Sequence, residues 1–431
     1  MRATAASILA ILTVAAALPA LGVERFPPPD FTSHKLPPTT QPPPRHVGLE
    51  ILDLAVLVVA LAGVTYLVLR LRSRWGVFGV MAAALAYFGF YRGGCVCPIG
   101  AIQNIALAIF DSSYAVPLLV LAFFLLPLAT TLLFGRTFCA GVCPLGAIQD
   151  LVALKPLRVP AWLEHSLGLL AWVYLGLAVL LAATGSMFAI CEYDPFVGFF
   201  RLGGTWRMML LGGVLLAVGV VVARPYCRYL CPLGALFRPL SRLSRFHASI
   251  TPDRCIQCRL CEDSCPFGAI QEPNADQMPP RLYGRATLAA MLGVAAALVV
   301  GLAVLGWLAA PSLARTHATV RLADQVRLED AGQKPLSEEL TDPGLVFRKS
   351  GRPRADLLAA ADRVLARFAV GTTVLGAFLG LVAGGKLVLL SVRRRRTDYL
   401  ADRSHCLSCG RCFEHCPMDR QWRKRQQRVQ P

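Results

Sequence analysis

Two cysteine runs of identical spacing, Cys255-x2-Cys258-x2-Cys261-x3-Cys265-Pro266 and Cys406-x2-Cys409-x2-Cys412-x3-Cys416-Pro417, constrain this chain more than any other feature. Each has the spacing that holds a cubane iron–sulfur cluster. Residues 266–405, largely apolar, separate them. The chain must therefore return across apolar spans to bring the runs together, or build two clusters that never meet. Ligation needs thiolates in reducing surroundings, which places both runs on the cytoplasmic side.

Hydrophobic residues make up 55% of 431 positions, charged residues 16%, and the mean hydropathy is +0.54. These values describe a polytopic membrane protein, mainly α, rather than a soluble chain. The net charge of +18 comes from 44 Lys and Arg against 26 Asp and Glu. A nucleic-acid surface is excluded because the basic residues collect in short loops beside apolar spans, as the positive-inside rule requires.

Residues 1–23 read as a signal peptide or anchor helix, and 24–49 as a proline-rich extracytoplasmic linker too dense in proline for helix or strand. About seven spans follow, near 50–70, 76–91, 114–135, 166–187, 207–223, 286–310 and 368–391, each judged against the ~20 residues that cross a bilayer. Arg70, Arg72 and Arg74; Arg136, Lys155 and Arg158; Arg224, Arg228, Arg238, Arg242 and Arg245; and Arg393–Arg396 then fall on one side, the cytoplasm. The domain plan is a membrane core at 50–245, a first cytoplasmic cluster half at 246–285, a span at 286–310, an extracytoplasmic loop at 311–367, a span at 368–391, and a second half with a basic tail at 392–431. Such a topology belongs to a bacterial inner membrane.

Inside the core a motif recurs. Arg136-TFCAGVCPLGAIQ and Arg224-PYCRYLCPLGAL share Cys-x3-Cys-Pro-Leu-Gly-Ala; Arg92-GGCVCPIGAIQ is an altered copy with Gly93 in place of the earlier cysteine. Cys191-Glu-Tyr-Asp-Pro-Phe-Val-Gly is a remote fourth. On the topology these alternate: Cys95 and Cys97 outside, Cys139 and Cys143 inside, Cys191 outside, Cys227 and Cys231 inside. The inner four thiols suffice for an additional intramembrane iron or iron–sulfur centre. The outer three lack an evident fourth ligand; Asp194 and Glu192 are the carboxylates at hand, and a disulfide is the competing reading on an oxidising face. Small apolar packing is the bland alternative for all seven, and the repetition argues against it for the inner four.

Proline after the second cysteine is expected to end local helix, and the glycine to allow a tight turn. In two-cluster ferredoxins the cysteine before proline serves the other cluster. Carried over, Cys255, Cys258, Cys261 and Cys416 form one set, and Cys406, Cys409, Cys412 and Cys265 the other. Independent clusters, each using its own run, remain the alternative.

The order of these motifs resembles the membrane polyferredoxins of the NapH/MauN and NosR/NirI group, over roughly 50–270 and 390–420. The resemblance implies a split bacterial-type two-[4Fe-4S] ferredoxin module on a membrane helix bundle. It also implies an electron carrier, not a stand-alone enzyme, passing electrons between a cytoplasmic or quinol donor and a periplasmic redox protein. A redox-sensing regulator, or an assembly factor that reduces a periplasmic metal centre, are the rival functions. NosR and NirI carry a large flavin domain ahead of the membrane part; only the short proline-rich segment stands there here, so flavin is expected on a separate partner flavoprotein.

Other motifs carry less. No Cys-x-x-Cys-His is present, which argues against covalent haem. Gly380-x4-Gly385-Lys386 is read as part of a small-residue face formed by Gly376, Gly380 and Gly384 with Lys386 snorkelling, not as a phosphate loop. His247, His405 and His415 are read as ordinary hydrogen-bonding side chains, and Arg420–Arg428 as a lipid contact.

Overall fold

The computed structural model describes residues 46–94, 98–154, 156–157, 159–250, 255–274, 285–331, 341–391 and 396–429. The first apolar stretch, the proline-rich linker, Cys95, Cys97, Lys155, Arg158 and Arg393–Arg395 lie outside the described residues.

Helix α1 (Val47–Tyr66) runs on as a π-helix to Leu71 and is closed by Arg72 in a left-handed conformation. Ser73 caps α2 (Arg74–Ala84) by accepting from Gly76 N, and a second π-helix carries that helix to Tyr91. Next come α3 (Pro98–Phe110) and α4 (Leu118–Phe134), followed by the short motif helices α5 (Thr137–Gly141) and α6 (Pro144–Val152). The second half of the core repeats this order: α7 (Ala161–Leu167), α8 (Leu170–Ala183), α9 (Ala189–Glu192), α10 (Val197–Arg201), α11 (Trp206–Gly219), α12 (Pro225–Tyr229) and α13 (Pro232–Arg242).

Beyond the core, α14 (Leu260–Asp263) and β1 (Ile270–Gln271) belong to the first cluster half. A long hairpin, α15 (Arg285–Ala314) and α18 (Arg354–Ser391), is bridged by α16 (Ala318–Asp330) and α17 (Thr341–Lys349). The chain then returns through β2 (Leu400–Ala401), α19 (Arg411–His415) and α20 (Pro417–Val429). Strands β1 and β2 pair antiparallel, Ile270 opposite Ala401 and Gln271 opposite Leu400, so the two cysteine runs do meet.

Among the described residues, four helices are long and apolar enough to cross a membrane: Val47–Leu71, Ala161–Ala183, Ala289–Ala314 and Arg354–Leu390. Three shorter apolar helices, α3, α4 and α11, accompany them. At 1.5 Å per residue, α18 is about 57 Å long, nearly twice the ~30 Å hydrocarbon core. It therefore begins well before residue 368, inside the segment expected as a loop, and packs there against α16, where Ala323, Val326, Leu357 and Ala361 form a small separate core.

The hairpin is held backbone to backbone. A methyl placed on Gly376 would overlap the Leu302 carbonyl; at Gly380 it would meet Val299 Cα, and at Gly384 the Ala295 side chain. The small-residue face on α18 is therefore real, with Gly306 of α15 approaching Thr372 from the other side. Lys386 does not snorkel: its ammonium donates to the His165 carbonyl of α7.

Gly380→Leu should separate α15 from α18 and lower the thermal unfolding temperature in detergent, since overpacking costs about 1–3 kcal/mol. Gly385→Ala, where nothing lies within 4 Å, should leave it unchanged or slightly raised. Equal unfolding temperatures for the two variants would refute this account of the hairpin.

Candidate redox centres

The two ferredoxin-type loops share an unusual backbone. Gln257 and Arg259 in the first run, and Ser408 and Gly410 in the second, all have positive φ, at 54°, 64°, 54° and 77°. Non-glycine residues accept this conformation only when something nearby favours it. It turns backbone N–H groups toward sulfur: Gln257 N donates to Cys255 Sγ and Ser408 N to Cys406 Sγ, both at 3.4 Å. Successive N–H groups folded into such a concavity form an anion nest, the form that wraps iron–sulfur clusters.

The cysteines then gather in crossed sets. One hollow is lined by Cys255, Cys258, Cys261 and Cys416, with Ile250 and Tyr399 beside them. A second is lined by Cys265, Cys406, Cys409 and Cys412, with Phe267 and Leu407. The thiols respond to the same neighbours. Burial pushes Cys261 up to about 11, assisted by Cys255, Cys258 and Cys416. Burial likewise pushes Cys406 up to about 12, with Cys409 and Cys265 adding. Each run thus contributes its last cysteine to the other run's hollow.

A third group lies in the core. Cys143 and Cys231 sit at the N-caps of α6 and α13 in extended conformation, with Pro144 and Pro232 at the first helical position. The proline therefore starts each helix and does not end one, because its fixed φ suits that position and its missing N–H is not needed there. Cys231 Sγ accepts from Gly234 N at 3.3 Å. Cys139 and Cys227, from α5 and α12, face these two; burial raises Cys143 strongly, and the Cys227, Cys139 and Cys231 thiols each raise it further. Four gathered thiols, Cys143 and Cys231 buried and Cys139 and Cys227 partly so, are a donor set suited to a bound cation. Among the described residues no three His, Cys, Asp or Glu side chains are arranged to hold a metal ion. A cubane spreads its four thiolates around a larger body than a single ion.

The motif glycines serve close approach, not a turn. A Cβ on Gly146 would lie 3.1 Å from Arg224 Nη1, and one on Gly234 would lie 3.5 Å from Arg136 Nη2 and 3.2 Å from the Cys227 carbonyl. Each motif's arginine thus packs on the other motif's glycine. Arg224, 1% exposed, also donates to the Cys139 carbonyl. Gln149, fully buried, completes the bracket: its Oε1 accepts from Tyr226 N at 3.0 Å and its Nε2 donates to Cys227 Sγ at 3.2 Å. Sequence reasoning missed Gln149, although the repeated Gly-Ala-Ile-Gln at 100–103 and 146–149 was its signal.

The core site adjoins the second crossed set. Cys139, Cys265, Cys406 and Cys409 all pack on one apolar cluster of Ala223, Phe267, Ala269 and Leu407. Asp150 of α6 fixes this junction. Its carboxylate pairs with Arg74 at 2.8 Å, Arg224 at 3.4 Å and Arg411 at 3.3 Å. Burial alone would raise its pKa, but the three guanidinium groups outweigh that and hold it well below the usual carboxylate range. Arg72 binds Asp419 and donates to the carbonyls of Ser249 (2.8 Å) and Ile250 (2.6 Å). Arg136 donates to Ser404 O, and Arg228 binds Glu164 and reaches the carbonyls of Pro266 and Phe267. His405 bonds Asp402 at 2.9 Å, an ordinary structural role. Cys191 is exposed on the far side of the core, against Gly100.

The chain is similar in sequence to known iron–sulfur proteins. A 4Fe-4S binding domain model matches residues 116–169 and 204–251, each stretch holding one Cys-x3-Cys-Pro-Leu-Gly-Ala motif. A second 4Fe-4S binding domain model matches 248–271. An uncharacterized protein of Methanocaldococcus jannaschii is 30% identical over 203 residues, 44% of this chain and 81% of its own length. The protein NirI of Paracoccus denitrificans is 34% identical over 153 residues, 32% of this chain and 22% of its own. The regulatory protein NosR of Pseudomonas aeruginosa is 30% identical over 210 residues, 44% of this chain and 29% of its own. No solved structure matches.

Fold and sites together define an iron–sulfur, redox-related membrane protein that carries 4Fe-4S clusters. The chain belongs to the NosR/NirI/MauN-like family of 4Fe-4S membrane ferredoxin-type proteins.

Asp150→Asn should destabilise the junction by about 3–5 kcal/mol, because it strands buried guanidinium groups. Since the folded pKa lies below the ordinary value, the stabilisation is complete above about pH 4 and is lost as pH falls below it. Denaturant titrations should therefore show a constant wild-type advantage from neutral pH to about pH 5, shrinking only in stronger acid. An advantage that already decays between pH 7 and 5 would contradict the assignment.

Proposed function

We propose that this protein conducts electrons along a chain of iron–sulfur centres between a cytoplasmic or quinol donor and a periplasmic redox partner in a bacterial inner membrane. Two 4Fe-4S clusters take the crossed ligand sets, Cys255, Cys258, Cys261 and Cys416, and Cys406, Cys409, Cys412 and Cys265. A third centre takes Cys139, Cys143, Cys227 and Cys231. Cys95, Cys97 and Cys191 lie toward the far side and extend the series. The spans near 76–91, 114–135 and 207–223 join the four long helices to make about seven crossings, and both ferredoxin halves and the basic tail face the cytoplasm.

The observation that carries the reading is the shared apolar cluster beneath Cys139, Cys265, Cys406 and Cys409. Through Cys139, the residues that would hold a core cofactor share this cluster with residues that would hold one on the second crossed set. When bound, such clusters supply one-electron redox chemistry, with potentials set by net charge, hydrogen bonds to sulfur and burial. The chain's own residues tune those quantities: Gln149 bonds Cys227 Sγ, and Arg136 and Arg224 bring positive charge beside the thiols.

Anaerobic purification should give about eight irons from the two crossed sets and a further complement from the core. Cys139→Ser with Cys227→Ser should remove only the further complement. Cys416→Ser should disturb the same paramagnetic signal as Cys255→Ser, and Cys265→Ser the same one as Cys406→Ser; pairing within each run instead would refute the crossed ligation. In liposomes with a reductant enclosed and an impermeant oxidant outside, a conductor passes electrons. No flux would favour a redox-sensing regulator.

A further inference from the structure

Where the core thiols meet the second ferredoxin half, the fold encloses a cavity of about 20 Å³. Arg136, Arg224, Arg228, Arg238 and Glu164 line it, together with Cys227 of the core set and His405 of the loop that carries Cys406. The charges there do not balance. Arg224 pairs with Asp150, and His405 with Asp402. Both oxygens of Glu164 are taken, by Arg228 at 2.7 Å and by the Tyr229 hydroxyl at 2.6 Å. Arg136 and Arg238 pair with no carboxylate among the described residues; Arg136 donates to the Ser404 carbonyl, and Arg238 to the carbonyls of Gly168 and Arg228. Burial, with the Arg136 charge beside it, lowers the Arg238 pKa to about 10. A further cation stands close, since a Cβ on Gly168 would lie 3.2 Å from Arg238 Nη1 and 3.4 Å from Lys386 Nζ.

Nor are the donors all spent. Arg136 is 4% exposed, and its Nε, like that of Arg238, is buried with no hydrogen-bond partner among the described residues. A buried N–H left unmade is costly, the more so on a charged group, and only an acceptor about 3 Å away relieves it. A cluster on the thiols would lessen the repulsion between the guanidinium groups, but the acceptor has to stand in the cavity itself. The space then selects the occupant. A buried water needs roughly 10–15 Å³, so this cavity takes one particle of about that size and no phosphate or organic acid. A neutral water would answer the N–H groups and leave the charge. A monatomic anion answers both.

We propose that this cavity is a binding site for one small inorganic anion of the halide class, held by Arg136 and Arg238 at the junction between the core thiols and the second crossed set. The Arg136 charge is felt at Cys227, Cys231 and Cys406 alike, so a charge beside it bears on both sets. A bound anion therefore makes the potential of a neighbouring cluster more negative, and halide concentration becomes a control on electron transfer through the junction. The site itself needs only the arginines. Its effect on a core centre rests on the conduction reading above.

The test uses the full chain, purified anaerobically in detergent with its clusters and exchanged into gluconate, an anion too large for the cavity. Chloride or bromide is then titrated in at constant ionic strength. The unfolding temperature should rise saturably with either halide, because a ligand bound only by the folded state stabilises it. Crystals grown in bromide should show one anomalous peak at the bromine edge within about 3.5 Å of the Nε atoms of Arg136 and Arg238. Arg238→Gln removes one unanswered charge and should abolish the saturable rise, whereas Arg242→Gln, exposed on the same helix, should keep it. Should Arg238→Gln not fold, retention of radiolabelled chloride by the wild type decides: one per chain supports the site, and none overturns it. The potential of the signal that Cys406→Ser removes should move negative as halide is added. A halide-dependent unfolding temperature with an unmoved potential would strike the control of electron transfer and keep the site. Superimposable unfolding curves in chloride and gluconate, with no bromide peak, would mean that the cavity holds water only and would overturn the proposal. Saturable halide binding in a protein with no core iron would leave the anion site standing while the conduction reading falls.

Discussion

One carboxylate holds this molecule together at the point where its parts must agree. Asp150 is buried on α6 and binds guanidinium groups from the start of α2, from the residue before α12 and from the start of α19. Those three segments belong to the first half of the core, the second half of the core and the second ferredoxin half. Burying charge is costly unless every partner is matched, and an uncompensated ion in such a place costs several kcal/mol. The junction therefore has one good solution. Shifting any of the three segments would strand a guanidinium, so the relative position of core thiols and ferredoxin thiols is fixed by electrostatics as much as by packing.

The arginines around it answer a second need. Thiolate-bound clusters carry net negative charge, which must be compensated inside a low-dielectric protein. Arg72, Arg136 and Arg224 are all 5% exposed or less. They spend their donors on carbonyls of cysteine-bearing loops, at Ile250, Ser404 and Cys139. Arg72 also lies 4.1 Å over the Phe413 ring, tying the end of α1 to the second ferredoxin half through a face that needs no hydrogen bond.

These same arginines explain what the sequence could and could not reveal. The cysteine runs were legible because ligand spacing is local, and so was the helical hairpin, whose glycines stand at a strict interval of four. That the runs meet was expected from their shared Cys-Pro ending, but the pairing of β1 with β2 that joins them was not. The arginine clusters were legible only as a topology signal, since the positive-inside rule counts charges without saying where side chains point. In the fold Arg72, Arg136 and Arg224 turn inward. The roles of Cys-Pro and of the motif glycine were also misread from sequence. Whether proline stops or starts a helix depends on which side the helix lies, and the glycine's constraint comes from an arginine 78 or 98 residues away in the chain. Asp150 was invisible for the same reason, and the repeat that marked Gln149 gave no hint of its role: each acts through partners contributed by distant segments.

Splitting the ferredoxin around a membrane hairpin would ordinarily weaken it, because two halves held 140 residues apart must close a long loop before any ligand bond forms. Here the hairpin removes most of that cost in advance. The glycine face of α18 seats on the α15 backbone without long side chains to order, and the chain emerges with β2 already beside β1. With ligands crossed as proposed, neither cluster can be completed by one half alone, so the free energy of cluster binding acts on the assembled state only. Iron loading would then stabilise the hairpin, the two-stranded sheet and the Asp150 junction together. The split thus makes cofactor insertion conditional on a correctly folded membrane part, which a ferredoxin on a free tether would not require.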